Sequence, residues 1–265
     1  MDERVQKILS QWGIASRRQA EKMIQQGRVK LNGQPVHLGQ KANPLLDRIE
    51  VDDRAIEPAH RPDLVYLLLH KPAGVVSTCS DPQGRTTVLH LLPPELRDSQ
   101  GIHPVGRLDF DSTGALLLTN DGMLTFHLTH PKHCIPKTYR VWVEGHPPES
   151  ILQQWRRGVM LDGRKTIPAQ LRVLEAERKS KTRLEIVLKE GRNRQIRRVA
   201  AQLGYPVIQL HRTAIGSIEL NPPGHPQLRC GEYRPLNDSE IRFLRTQVHL
   251  SSENLPATQI EEQGI

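Results

Sequence analysis

The stretch that most restricts how this chain can fold is residues 103–122, His-Pro-Val-Gly-Arg-Leu-Asp-Phe-Asp-Ser-Thr-Gly-Ala-Leu-Leu-Leu-Thr-Asn-Asp-Gly. Its turn-rich beginning carries Arg107 just before Asp109, and Ser112-Thr113-Gly114 leads into the apolar run 115–118. A short unbroken apolar run bounded by turn formers marks a buried strand. A charged pair therefore sits where a loop meets an interior element. Loops held on a rigid scaffold are where catalytic groups concentrate; a structural ion pair at a strand end is the other reading of the same residues.

A chain of 265 residues can bury a full core, as one large domain or as a small and a medium one. Its 37 basic residues outweigh 29 acidic ones, a net charge of +8, which favours a polyanionic partner without separating RNA from DNA or an acidic membrane surface. Cys79, Cys134 and Cys230 are odd in number and far apart, against both a disulfide framework and a CxxC zinc site. Reduced thiols in a cytoplasmic protein are expected. The polar, acidic start Met-Asp-Glu-Arg is unlike a secretory signal, and the longest apolar run, 64–69, is too short to span a bilayer.

In the first sixty residues, Val5, Ile8, Leu9 and Trp12 follow helical spacing up to Gly13. A second helix starts at Ser16, which forms a capping-box pattern with Gln19; Ala20, Met23 and Ile24 supply its buried stripe, and Gly27 its C-terminal cap. Val29 and Leu31 alternate with charged residues before the hairpin dipeptide Asn32-Gly33, and a short strand covers 49–51. Arg17 and Arg18 fall in the first turn of the second helix, where the macrodipole disfavours a cation unless an anion binds there. The runs Ile14 to Glu21 and Gly27 to Gly33 resemble the S4 RNA-binding domain. That resemblance implies an RNA-binding surface formed by Arg17, Arg18, Lys22, Arg28, Lys30 and Asn32.

Residues 58–62 hold two prolines among polar residues and read as a linker, so a second domain begins near Asp63. Expected strands cover 64–70, 75–78, 137–144, 171–174, 184–188, 207–210 and 215–220, with 175–181 as a charged turn and helices over 122–128 and 148–157. In 137–144, Tyr139, Val141 and Val143 share one face, so a packed core tyrosine is the default for Tyr139 unless that face lines a cleft with Asp109. Residues 189–198 are the most basic stretch, followed by the helical stripe Ile196, Val199, Ala200 and Leu203 with Asn193 as N-cap. Arg194, Arg197 and Arg198 share another face by i, i+3, i+4 spacing and call for an anion nearby: Asp109 for one, RNA phosphate for the others. The fold class expected is α+β: a small α/β module over 1–60, a domain over 61–245 with a mainly antiparallel or mixed sheet and a central cleft, and a polar, disordered tail over 246–265.

Three motifs in order, Gly106-Arg107-Leu108-Asp109 with its continuation to Gly122, Lys137-Thr138-Tyr139-Arg140-Val141, and Glu190-Gly191-Arg192-Asn193-Arg194-Gln195-Ile196-Arg197-Arg198, resemble the RsuA/RluB/RluE/RluF family of rRNA pseudouridine synthases. Lys71-Pro72-Ala73-Gly74 and Gly231 to Leu236 fit as well, and the RluB-like branch is the nearest. The resemblance implies a pseudouridine-synthase catalytic domain with Asp109 as the catalytic aspartate. It also implies that Tyr139 stacks on the target base and that Arg197 is the basic partner of Asp109. Arg107 is a candidate wedge or clamp for the displaced backbone, and Arg194 and Arg198 are expected to hold RNA. Departures are mild: His70 before the Lys-Pro pair, the extra carboxylate of Asp111, read as structural, and Val199 in place of a frequent methionine.

Isomerising uridine needs neither redox change nor net hydrolysis, so no cofactor and no metal are expected. The partner is ribosomal RNA, in the large subunit with the small subunit as the nearer alternative, and the protein is expected to act as a monomer. Two other classes remain open on sequence. One is a non-catalytic RNA-binding assembly factor; the other is a hydrolase or metal site built on Asp109 and Asp111.

Overall fold

The computed structural model describes residues 2–56, 62–98, 100–130, 135–177 and 180–247. The expected linker lies mostly outside these residues, as do Cys134 and the expected tail beyond Gln247.

The N-terminal module follows its patterning closely. Helices Val5–Gln11 and Arg17–Gln25 bury Val5, Ile8, Leu9, Ala20 and Ile24, and Ser16 and Gln19 form the reciprocal capping box. Asn32 and Gly33 both take positive φ, 51° and 82°, which closes the hairpin between Val29–Leu31 and Gln34–Pro35. These strands continue through Ile49–Val51 to a further strand, Arg54–Ile56, that periodicity did not reveal. The turn joining the last two is made by Asp52 and Asp53, both at positive φ.

The second domain is built on a sheet ordered Gln170–Glu177, Lys181–Leu188, Lys137–Glu144, Val207–Ile215, Thr113–Thr119, Tyr66–Lys71 and Tyr233–Pro235. Its pairings are antiparallel except where Val207–Ile215 meets Thr113–Thr119, a parallel contact of only two residue pairs, His211 with Thr113 and Arg212 with Gly114. The strands Tyr66–Lys71 and Thr113–Thr119 are covered on both faces, which explains their nearly continuous apolar sequence. Leu68 and Leu117 face a core closed by Leu124, Leu128 and Leu244, while Leu69, Leu116 and Leu118 face another closed by Val88, Ile102 and Leu108. At the other end of the sheet, Val141, Leu184 and Ile186 bury one face against Leu152, Trp155, Ile196 and Val199.

Several expected boundaries change for identifiable reasons. Residues 75–78 make one isolated bridge, Val76 to Thr87, because Ser77 turns inward to bond the backbone at Leu108. Of the expected charged turn 175–181, residues 178 and 179 lie outside the described residues, while 175–177 and 181 are strand and Arg183 meets Glu175 across the strands at 3.1 Å. Residues 207–215 form one strand, and a turn at Gly216 leaves only Ile218–Glu219 beyond it. The helix after the basic stretch is Gln195–Gln202, and its N-cap is Arg194 in the left-handed region at φ 47°, not Asn193. The final helix, Asp238–Gln247, runs past position 245.

Candidate active site

Asp109 lies in a cleft that is also lined by Arg107, Leu108, Ser112, Tyr139, Arg194 and Arg197. The strand Lys137–Glu144 aims Tyr139 along the face of Val141 and Val143, where it packs against both the core closed by Leu108 and the core closed by Ile196. Tyr139 thus touches both cores and lines the cleft with Asp109, the condition under which a strand tyrosine is more than core filling.

The loop carrying Asp109 is tied down almost peptide by peptide. Ser77 Oγ donates to the Leu108 carbonyl at 2.9 Å and accepts the Leu108 amide at 3.2 Å. The Gly74 amide donates to the Phe110 carbonyl at 2.8 Å, and the Ser112 amide to the Asp109 carbonyl at 3.1 Å. Lys71 Nζ donates to the carbonyls of Ser112 and Pro72, at 2.9 and 2.8 Å, and Arg212 Nε donates to the Ala115 carbonyl at 2.6 Å. A loop so constrained fixes the direction of its carboxylate.

Lys71 is fully buried at the end of an apolar strand, a rare place for a lysine. Burial pushes its ammonium down to about 8, against the opposing pull of Asp111 and Asp109. Lys71→Met keeps the stem and removes two donated hydrogen bonds. It should lower kcat by about a hundredfold with little change in KM, because a displaced loop misplaces the carboxylate, and cost about 2 kcal/mol in a urea melt. Unchanged kcat would exclude this positioning role.

The arginines arrive differently from their expected arrangement. Arg197 Nε is 3.8 Å from Asp109, while its terminal nitrogen is closer to Asp111, at 3.1 Å, and donates to Ser112 Oγ at 3.2 Å. Arg194 bridges the same carboxylates at 3.5 and 3.6 Å. Two guanidinium groups thus hold two carboxylates. Asp111, expected to be structural, shares the arginines of Asp109. Arg198 leaves this group to donate to Asp162 at 2.9 Å, although helical spacing placed it beside Arg197. Because Arg194 is the left-handed cap, spacing within the helix does not apply to it. Arg107 is exposed on the cleft rim with no ion pair among the described residues.

In the N-terminal module, Arg28 is held by Asp52 at 2.6 Å, Lys30 by Asp53 at 2.6 Å, and Asn32 Nδ2 donates to Asp47 at 2.9 Å. Arg17, Arg18 and Lys22 have no ion pair among the described residues. The proposed RNA face therefore divides into three available cations and two whose acidic partners must be displaced.

Sequence reasoning assigned no role to Lys71, Ser77, His211 or Arg212. Arg212 had a usable signal: it lies on the inward register with Leu210 and Ala214, and all three are buried. His211 bonds Thr113 Oγ1 at 2.8 Å through Nδ1. Burial, with His70 and Arg140 nearby, pushes it down to about 4, so it is neutral at physiological pH.

Together the fold and the cleft define an RNA-directed enzyme class: a basic module joined to a mixed-sheet domain with an arginine-held carboxylate facing a tyrosine. The S4 domain family model matches residues 3–44, and the RNA pseudouridylate synthase model matches residues 65–202. The chain belongs to the RNA pseudouridylate synthase family. It is 41% identical over 245 residues to the ribosomal large subunit pseudouridine synthase B of Bacillus subtilis, covering 92% of this chain and 96% of that one. An uncharacterized RNA pseudouridine synthase of Aquifex aeolicus is 38% identical over 248 residues, covering 92% and 94%. A crystal structure of pseudouridylate synthase superposes with a TM-score of 0.65 at 33% identity, covering 91% of this chain and 99% of that one.

Proposed function

We infer that this protein isomerises uridine to pseudouridine in large-subunit ribosomal RNA, with Asp109 as the reacting carboxylate. The observation carrying this reading is the placement of Asp109 beside Tyr139 and within 3.5 and 3.8 Å of two guanidinium groups. The reaction breaks the bond from the ribose carbon to N1 and reforms it to C5, while a proton leaves C5 and N1 gains one. An ionised carboxylate can attack the ribose carbon or take a ribose proton to begin an elimination. Arg194 and Arg197 orient it. A base in folded RNA must leave its stack to reach the cleft; Tyr139 offers a platform for it, and Arg107 a cation for the displaced backbone.

The large-subunit target is supported by the Bacillus subtilis relative, whose name specifies that subunit. We assign the module over 1–60 to RNA capture and the domain over 61–245 to catalysis, acting as a monomer in the cytoplasm. No helix among the described residues is long and apolar enough to cross a membrane. Incubation with C5-tritiated rRNA transcripts tests the reading. Tritium release from large-subunit rRNA is expected; release from small-subunit rRNA alone would reassign the target, and release from neither, with RNA still bound, would overturn the activity.

If Arg17 and Arg18 each meet a phosphate, the double substitution Arg17→Ala, Arg18→Ala should weaken rRNA binding without altering the fold. The plot of log affinity against log salt should flatten by about 0.7–0.9 for each phosphate left unneutralised. An unchanged salt slope would remove these arginines from the interface.

A further inference from the structure

Phe110 stands between the carboxylates of Asp109 and Asp111, on a loop that cannot retract. Its own carbonyl is bonded by the Gly74 amide, and the carbonyls of Leu108 and Ser112, two residues away on either side, are held by Ser77 and Lys71. The ring is left 48% exposed. Among the described residues it makes no aromatic or cation contact, whereas the other exposed phenylalanine, Phe126, has the rings of His127 and His130 at 5.5 and 5.3 Å. Phe243 is packed into a core. Phe110 is thus a half-exposed aromatic face with no ring or cation partner among the described residues.

Its position selects the ligand. The cleft is lined by Arg107, Leu108, Asp109 and Ser112 of the same loop but not by Phe110, so the ring flanks the site rather than receiving the reacting base. The carboxylates of Asp109 and Asp111 beside it are held by Arg194 and Arg197, so the ring adds a neutral, flat face next to charges that are already paired. Extracting one base from a stack leaves its neighbours with an uncovered face, and aromatic side chains cover such faces regardless of base identity. Arg107, exposed on the rim three residues away and without an ion pair among the described residues, leaves a cation free for the adjoining RNA backbone.

We propose that Phe110 is a stacking site for a nucleobase adjacent to the target uridine. This rests on the RNA-modifying reading above and assigns a second, non-reacting nucleotide to the same rim. The test uses Phe110→Ala, Phe110→Leu and Phe110→Trp with a large-subunit rRNA transcript. Phe110→Ala should raise KM about tenfold or more, with kcat affected less and the melting temperature unchanged. Phe110→Trp should restore KM, and the additional indole emission relative to wild type should be quenched when the transcript binds. Phe110→Leu should behave as alanine, because it keeps apolar bulk and loses the π face.

Wild-type KM in Phe110→Ala, full rescue by leucine, or indole emission unmoved by RNA would each overturn the proposal. The last result would leave a protein partner as the occupant to consider. Quenching is read on binding alone, so it decides the stacking claim separately from turnover. A wild-type enzyme that releases no tritium instead sinks the parent reading.

Discussion

Asp109→Asn is expected to abolish pseudouridine formation, by about 10⁴-fold or more, while the protein stays folded and bound to RNA. Asparagine keeps the shape and the hydrogen-bonding loop but cannot act as a charged nucleophile or base. The loss of stability should be small, about 1 kcal/mol or less, because the carboxylate is 30% exposed and its arginines stand 3.5 and 3.8 Å away. Arg194 and Arg197 retain Asp111 as a partner. The measurement is a pseudouridine map of rRNA from cells carrying each form, beside a melting curve and a binding isotherm. If modification persists while the melting temperature falls, Asp109 is a structural residue and the protein is an RNA-binding assembly factor.

Gly114→Ala should have the largest effect on stability. A Cβ there would lie 2.2 Å from the Arg212 carbonyl oxygen and 2.6 Å from its amide nitrogen, both backbone atoms that cannot swing aside. The position also has φ 109°, which L residues rarely adopt. Steric overlap and backbone strain together predict a loss of about 4 kcal/mol, or roughly a 10 °C lower melting temperature for a chain of this size. Activity should fall with it, since the parallel seam to Arg212 begins immediately after Ser112. A wild-type melting temperature would show that the two strands separate there without cost. In contrast, Gly74 and Gly84 have open space around the missing Cβ, so only their positive φ opposes substitution.

The seam also gives the domain an acid limit. His211 is held neutral to about 4, below the usual value near 6.5. Between these pH values the unfolded chain takes up a proton that the folded one does not, so stability falls as pH drops through that window. His211→Gln should flatten this part of a plot of melting temperature against pH; an unchanged profile would place the sensitivity elsewhere.

Much of the architecture was legible because local chemistry determines it. The capping box at Ser16, the Asn32-Gly33 hairpin and the alternation from Lys137 to Glu144 each form where their residues require, with little help from distant contacts. The RNA pseudouridylate synthase family was legible too, from three ordered motifs. What periodicity could not show was where polar side chains turn inward. Ser77 looked like part of a strand and is instead a clamp on Leu108. The helix-start residue Asn193 lost the cap position to Arg194, whose left-handed backbone aims its guanidinium at Asp109 and Asp111. Charges after Leu174 suggested a turn, yet the strand continues to Glu177, because Glu175 on an open sheet face finds Arg183 on the neighbouring strand.

The stretch 103–122 shows the division most clearly. By itself the sequence determined a charged loop entering a buried strand, because turn formers and an apolar run are local signals. Only the tertiary structure decided that Lys71 and Arg212 anchor the loop carbonyls and that Arg194 and Arg197 join its two carboxylates. It also decided that Tyr139 lines the same cleft as Asp109 and that Phe110 does not. Those contacts join residues from about 40 to almost 100 positions apart. Their geometry depends on a two-residue parallel seam that only close packing around Gly114 can form.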